Sequence, residues 1–159
     1  MGGRIGWAHF GLDVSSEPRP ERRPAPRGLA LVVDDDPAMR TLVKDLLAWE
    51  GVGARELPSG EGLIEAVEQE EVTLVVLDKE MPGASGLDLV ADVRRRRPGL
   101  PVIVITAFGG SGVRAEAMRL GATAYLDKPF RVGDFLQLVR GTLGSSAPGC
   151  GNSERAGGR

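Results

Sequence analysis

Thr73-Leu74-Val75-Val76-Leu77-Asp78 is a run of apolar residues that ends in a carboxylate. Because its apolar residues are consecutive rather than alternating, the run predicts a strand that is buried on both faces, as in a parallel sheet. Pro82 and Gly83 follow shortly afterwards and predict a loop. We therefore expect Asp78 at the carboxyl end of a central strand, where open α/β sheets bind their ligands.

Three more predicted strands are followed by polar residues. They are Leu29–Val33, followed by Asp34 to Asp36; residues 101–105, followed by Thr106; and residues 124–126, followed by Asp127 and Lys128. The carboxyl ends of parallel strands meet at one edge of a sheet. We therefore expect several carboxylates, a hydroxyl and an ammonium group to converge at that edge.

Apolar residues recur at helical spacing between these strands. Asp36 and Pro37 predict the first helix start, with Asp36 as the N-cap. The other predictions are a strand at 52–57, helices at 61–69, 86–97, 113–120 and 132–143, and a glycine-rich loop at 109–112. This alternation predicts an α/β fold with a five-stranded parallel sheet of order 2-1-3-4-5 and helices on both faces, the flavodoxin-like arrangement.

The 159 residues divide into three predicted segments. Residues 1–28 form a Pro/Arg-rich extension and residues 144–159 a Gly/Ser-rich tail, both expected to be disordered, and residues 29–143 form one domain. The extension holds His9, the single histidine, and the apolar residues Ile5, Trp7 and Phe10, which are too few for a core but could dock on a partner or on the domain.

Composition excludes several functional classes. The single cysteine, Cys150, allows no internal disulfide and fits a reducing compartment. No apolar run approaches the ~20 residues of a membrane span, so we expect a cytoplasmic protein without membrane contact. The net charge of −2 combines an acidic central region with mildly basic ends, which does not favour nucleic-acid binding.

The predicted edge has the chemistry of a phosphoryl site. Asp34, Asp35 and Asp78 would repel one another and raise at least one pKa. A hard divalent cation resolves that conflict, and Mg²⁺ suits one or two carboxylates together with a phosphoryl oxygen. Lys128 adds a positive charge and Thr106 a hydroxyl donor. A central carboxylate can then act as the nucleophile that forms an acyl phosphate. The sequence contains no nucleotide-binding glycine motif.

Each of these residues also has an ordinary structural interpretation. The aspartates could be loop or capping residues, Asp78 and Lys79 an exposed ion pair, Thr106 a strand-end hydroxyl, and Lys128-Pro129 a turn. The arginine run at 94–97 could bind nucleic acid, but its place at a helix C-terminus favours solvated cations. Each ordinary interpretation is reasonable for one residue alone. It is much less reasonable for all of them at once, because four strands that end in complementary polar groups are hard to obtain by chance.

The motifs at these strand ends resemble the receiver domain of two-component response regulators. They are Val32-Val33-Asp34-Asp35-Asp36-Pro37, Leu77-Asp78-Lys79-Glu80-Met81-Pro82-Gly83, Val104-Ile105-Thr106-Ala107 and Asp127-Lys128-Pro129-Phe130. The resemblance spans residues 29–143. It implies that Asp78 accepts a phosphoryl group from the phosphohistidine of a sensor histidine kinase or phosphotransfer protein.

The resemblance also implies a ligand set. Asp35 and Asp78 would bind Mg²⁺ directly, together with the backbone carbonyl of Glu80, and Asp34 mainly through water. Lys128 would pair with Asp78 and later with the phosphate. The Lys128–Pro129 bond is expected to be cis.

A conformational switch is implied as well. Phosphate would draw the Thr106 hydroxyl inward, and the ring of Tyr125 would enter the vacated space. The surface of the last two helices and the last strand would then change for an unknown protein target, or for dimerisation of the phosphorylated chain. Glu80 and Phe108 would flank the path of an attacking water, and Phe108 would shield the acyl phosphate and prolong its life.

Three functions are open on the sequence. The first is a stand-alone response regulator, a stoichiometric acceptor with slow self-dephosphorylation rather than a turnover enzyme, because few residues follow the domain. The second is a receiver-like dimerisation or scaffold module that is never phosphorylated. The third is a phosphatase with an aspartate nucleophile, which expects a second aspartate where this chain has Glu80.

Overall fold

The computed structural model describes residues 26–144. Five strands of one sheet alternate with five helices. The strands are β1 (Leu29–Val33), β2 (Gly53–Leu57), β3 (Val72–Asp78), β4 (Val102–Thr106) and β5 (Ala124–Asp127), and the helices are α1 (Pro37–Trp49), α2 (Leu63–Gln69), α3 (Gly86–Arg96), α4 (Ser111–Arg119) and α5 (Val132–Gly144). The predictions for Ile5, Trp7, His9, Phe10 and Cys150, and for the disorder of both ends, lie outside the described residues.

The sheet is parallel throughout, with the order β2-β1-β3-β4-β5. This confirms the predicted α/β fold of order 2-1-3-4-5. In the register of β1 and β3, Val33 lies opposite Leu77, so the residues that follow them, Asp34 and Asp78, are neighbours at the carboxyl edge. Asp78 in turn lies opposite Ile105 of β4, which brings Thr106 next to the same edge.

Two apolar layers hold the helices against the sheet. Alternate side chains of β3 point to opposite faces: Val75 and Leu77 pack with α2, α3 and α4, whereas Leu74 and Val76 pack with α1 and α5. All four side chains are 2 % exposed or less, and full burial of such a side chain contributes roughly 1.5–3 kcal/mol. The consecutive apolar residues of β3 are therefore explained by helices on both faces. Among the described residues, none of the helices combines the length and apolarity that crossing a bilayer requires.

Several local features differ from the sequence predictions, and α2 begins at Leu63 rather than at residue 61. Helix α4 begins at Ser111 rather than at residue 113, because Gly110, with φ of 138°, turns the chain and leaves the next two residues free to be helical. The loop after β3 contains a short antiparallel hairpin, Glu80–Met81 with Ala84–Ser85. Its turn holds Gly83 at φ of 82°, which suits a Pro-Gly turn.

The arginine run is not simply solvated, so that prediction is wrong in part. Arg94 donates to the backbone oxygens of Gly121 and Pro98 and to Thr123 Oγ1, the last at 3.1 Å. Arg97 donates from Nη1 to the carbonyl of Val67 at 3.2 Å, in the last turn of α2. Arg95 and Arg96 do remain exposed, in surface ion pairs. The run therefore joins α3 to its neighbours.

We expect Arg94→Ala to lower the free energy of unfolding by about 1–3 kcal/mol, because it leaves carbonyl oxygens without their donor. Arg95→Ala is the matched control, since Arg95 lies in the same helix turn but is exposed and pairs with Asp92 at the surface, and it should change stability little. Urea unfolding of the three chains measures both effects. Equal losses in the two variants would contradict a structural role specific to Arg94.

Candidate functional site

Three aspartates meet at the carboxyl edge of the sheet. Asp78 ends β3, and Asp34 and Asp35 follow β1. Asp34 and Asp78 are buried, with 5 % and 6 % of their surface exposed, whereas Asp35 is exposed. One carboxylate oxygen from each residue lies within 4.8 Å of those of the other two. The structure therefore brings together the three carboxylates that the sequence placed at one edge.

Lys128 completes the charged centre. Its Nζ donates to Asp78 Oδ2 at 2.7 Å and to Asp34 Oδ2 at 2.9 Å. The backbone N–H of Lys128 donates to the carbonyl of Thr106 at 2.7 Å, which fixes the loop after β5. The Lys128–Pro129 bond is cis, as predicted. One ammonium group is thus shared between two buried carboxylates.

Burial and this sharing together set the pKa values of Asp78 and Lys128. Burial raises the pKa of Asp78, and the nearby Asp34 charge adds to the rise, against the hydrogen bonds from Lys128 and from the Glu80 backbone. Burial lowers the pKa of Lys128, but its hydrogen bonds to Asp78 and Asp34 outweigh that effect and raise it. The two pKa values therefore rise for different reasons, because burial mainly disfavours the charge on Asp78, whereas two neighbouring carboxylates favour the charge on Lys128.

Backbone groups hold the two buried aspartates in place. Asp78 Oδ1 accepts from the N–H of Glu80 at 2.9 Å, and Asp34 Oδ1 accepts from the N–H of Asp36 at 2.8 Å. The side chain of Asp36 turns away from the edge and caps α1 by accepting from Ala38 N at 2.9 Å. Asp36 is therefore a helix cap, as the sequence predicted.

The side chain of Glu80 enters the site and binds Thr106, a contact that the sequence did not predict. Thr106 is wholly buried, and its Oγ1 donates to Glu80, with both carboxylate oxygens 2.7 Å away. Lys79 Nζ donates to Glu80 Oε1 at 2.8 Å, so Lys79 pairs with Glu80 rather than with Asp78. Burial would raise the pKa of Glu80, but the hydrogen bonds from Lys79 and Thr106 and a contribution from the Ala107 backbone hold it below its usual value.

Tyr125 and Phe108 occupy different environments. The ring of Tyr125 is buried, with 6 % exposed, and its hydroxyl donates to Asp127 Oδ1 at 3.1 Å. Gly109 packs against both groups, since a Cβ there would lie 1.9 Å from Asp127 Oδ1 and 2.3 Å from the Tyr125 oxygen. Phe108, in contrast, is 75 % exposed. Its ring therefore gives the site little cover in this conformation, unlike the shielding position expected from the sequence.

Three further positions support the site and were missed by sequence reasoning. Gly86 packs on the backbone behind Asp78, where a Cβ would lie 2.4 Å from the Asp78 carbonyl oxygen. Arg40 of α1 donates from Nη1 to the backbone oxygen of Asp34 at 2.7 Å. Gly109, described above, is the third. A glycine or a helix arginine carries no signal of such a contact by itself, because the contact depends on how the folded chain brings the two residues together.

Residues 30–140 match the family model described as the response regulator receiver domain. The chain belongs to this family. The expectation drawn from the strand-end motifs is therefore confirmed, and the domain is a response regulator receiver domain of two-component systems.

Relatives of this receiver domain are longer proteins. It is 39 % identical over 109 residues to the response regulator protein FleR of Pseudomonas aeruginosa. The aligned residues make up 69 % of this chain and 23 % of FleR. It is 36 % identical over 116 residues to the transcriptional regulatory protein FixJ of Azorhizobium caulinodans. The aligned residues make up 73 % of this chain and 55 % of FixJ. The chain thus spans about a quarter of the first relative and about half of the second.

A solved structure shares the fold of this receiver domain. The CheY-like response regulator receiver domain protein from Methanospirillum hungatei superimposes with a TM-score of 0.69 at 29 % identity, over 74 % of this chain and 94 % of that chain. The agreement supports the fold that the strand pattern predicted.

The raised pKa of Asp78 predicts an effect on stability. Because the native state holds the proton of Asp78 more tightly than the unfolded chain, ionisation of Asp78 weakens the fold as the pH rises above the ordinary aspartate range. We expect Asp78→Asn to raise the free energy of unfolding at pH 7, without divalent cations, by about 0.5–2 kcal/mol. The gain should shrink as the pH falls below about 4.

Urea unfolding at several pH values measures this gain. Asp45→Asn is the control, since Asp45 is exposed on α1 and should change stability little at any pH. A gain for Asp78→Asn that is the same at pH 3 and pH 7 would contradict the assignment to charge.

Proposed function

We propose that this receiver domain is the phosphoacceptor of a two-component phosphorelay, and that Asp78 takes the phosphoryl group from the phosphohistidine of a sensor histidine kinase or phosphotransfer protein. The observation that carries the proposal is the buried Asp78 carboxylate, with Lys128 Nζ at 2.7 Å from one oxygen and two more aspartates beside it. Such a carboxylate is held in one orientation, beside a cation that can accompany an incoming anion.

The reaction uses one oxygen of Asp78 as the nucleophile. That oxygen forms a bond to phosphorus, the phosphorus–nitrogen bond of the phosphohistidine breaks, and the imidazole departs with the bonding electrons. Lys128 lies within hydrogen-bond distance of Asp78 Oδ2. After the transfer its ammonium group would donate to the phosphoryl oxygens instead. The buried hydroxyl of Thr106, at the end of the adjacent strand, would donate to another of those oxygens.

The residues at the edge fit a bound Mg²⁺ ion. Three carboxylates within 4.8 Å of one another and a single shared ammonium leave negative charge that a hard cation would balance. Asp35, Asp78 and the backbone carbonyl of Glu80 would hold the ion directly. Asp34 already accepts from Lys128 and from the Asp36 N–H, which suits contact through water. When bound, the ion would orient the transferring phosphoryl group and neutralise its charge.

The output is proposed to be a change of surface. Loss of the present Thr106 contact would let the Tyr125 side chain and the loop before α4 repack, and the surface of α4, β5 and α5 would follow. Such a switch is a shift between two packings that a new charge biases. A protein target, or a second phosphorylated copy of this chain, would read that surface.

Two other functions fit the site less well. A scaffold module that is never phosphorylated has no need of three clustered aspartates and a lysine at hydrogen-bond distance from two of them. A phosphatase needs a general acid beside the nucleophile, but the pKa of Glu80 is held below its usual value, which makes Glu80 a poor proton donor. Turnover of a small phosphate ester would favour the phosphatase.

We expect the native chain to gain one phosphoryl group when it is incubated with Mg²⁺ and a small acyl phosphate, and intact mass spectrometry measures that gain. Asp78→Asn should gain none. Lys128→Ala should react more slowly, by ~10²-fold, because one stabilising charge is lost. The product should be labile to hydroxylamine, as an acyl phosphate is. Equal labelling of the native chain and Asp78→Asn would refute the proposed acceptor.

We expect Mg²⁺ to stabilise the native chain. At a free concentration ten times the Kd, the gain in the free energy of unfolding is about 1.4 kcal/mol. Asp35→Asn should lose most of this gain, because Asp35 is an exposed member of the aspartate cluster. Thermal unfolding with Mg²⁺, against NaCl of equal ionic strength, measures the difference. The same gain in both chains would place the ion elsewhere.

A further inference from the structure

We propose that the side chain of Glu80 is a tethered competitor of the phosphoryl group, which holds the resting state by occupying the hydroxyl that the phosphoryl group needs. This inference rests on the proposed function and adds a regulatory residue to it. It starts from the contact between Thr106 Oγ1 and the Glu80 carboxylate, with both oxygens at 2.7 Å.

The hydroxyl of Thr106 can serve one strong acceptor at a time. A hydroxyl has one proton to donate, and the oxygen of Thr106 itself accepts from the N–H of Phe108 at 3.1 Å. The group is wholly buried, so water does not offer a second arrangement. While Thr106 donates to Glu80, the proton is not available to a phosphoryl oxygen on Asp78.

Glu80 resembles a phosphoryl group in its negative charge and in the hydrogen-bond donors that it contacts. Its carboxylate accepts from Lys79 Nζ at 2.8 Å and from Thr106 Oγ1 at 2.7 Å. Thr106 ends the strand next to β3, so its hydroxyl lies at the same edge of the sheet as Asp78. A phosphoryl group of about −2 charge would both repel Glu80 and need its donor.

Glu80 is also able to leave. Its side chain is 32 % exposed and that of Lys79 is 23 % exposed, so the ion pair can rotate outward into water as a unit. The backbone N–H of Glu80 donates to Asp78 Oδ1 and is not involved in that movement. Release of Thr106 therefore requires a change of side-chain rotamers only, and the hydrogen bond to Glu80 adds directly to the free energy that separates the resting and phosphorylated conformations.

The test is the affinity for beryllium fluoride, a phosphoryl analogue that does not need a phosphodonor, measured by calorimetry at saturating Mg²⁺. We expect Glu80→Ala to bind it about tenfold more tightly than the native chain, since a hydrogen bond to a charged group no longer competes. Glu116→Ala removes another glutamate, one that pairs with Arg119 on the exposed side of α4, and should bind like the native chain.

A second pair of chains separates the hydrogen bond from the general effect of a removed charge. Thr106→Val has no proton to donate, so Glu80→Ala should have no further effect in that background. In Thr106→Ser, which keeps the hydroxyl, the effect should return. The amide resonance of Phe108 should also shift in Glu80→Ala without any ligand, because Phe108 N–H donates to the same hydroxyl.

The outcomes that oppose the inference are distinct. Unchanged or weaker binding by Glu80→Ala would overturn it, and so would an equal gain in the Thr106→Val background, which would show a field effect of the charge alone. If neither the native chain nor Glu80→Ala binds the analogue better than Asp78→Asn does, the proposed function itself fails, and the role of Glu80 fails with it.

Discussion

The ammonium group of Lys128, shared between Asp34 and Asp78, is the interaction on which the site depends. It joins residues that are 94 and 50 positions apart in the sequence, and so it ties the ends of β1, β3 and β5 into one centre. One positive charge cannot balance the two carboxylates it contacts together with Asp35. Burial is the main reason that the pKa of Asp78 is raised although Lys128 is bonded to it, and the charge of Asp34 adds to the rise. The remaining negative charge is what a bound cation would balance.

This centre exists only because the strand order reverses beside β3. The chain places β1 and β4 on either side of β3, and the parallel register sets Val33 against Leu77. A slip of one residue would exchange the faces of every side chain in β3 and send its apolar residues away from their helices. Burial of Leu74 to Leu77 on both faces therefore fixes the position of Asp78 as firmly as any contact at the edge does.

The strands and the charged centre could be predicted from the sequence because their signals are local. A consecutive apolar run gives a buried strand, and its last residue gives the edge. The contacts of long side chains could not be predicted in this way. Arg94, Arg97 and Glu80 each had several partners within reach, and the choice among them depends on which distant carbonyl or hydroxyl the fold brings near. The early start of α4 depended on the conformation of a single glycine, Gly110, which its neighbours in sequence do not determine.

In the resting structure, the two side-chain donors that the proposed phosphoryl site would use, Lys128 and Thr106, already have partners. Lys128 is bonded to Asp78 and Asp34, and Thr106 is bonded to Glu80. Phosphorylation would thus exchange these hydrogen bonds rather than add new ones, and such an exchange would keep the free-energy difference between the two conformations small. A small difference is what a switch requires, since a ligand can shift an equilibrium only by its differential affinity for the two states. In the proposed switch, the same buried polar groups would both stabilise the resting state and allow the change to be reversed.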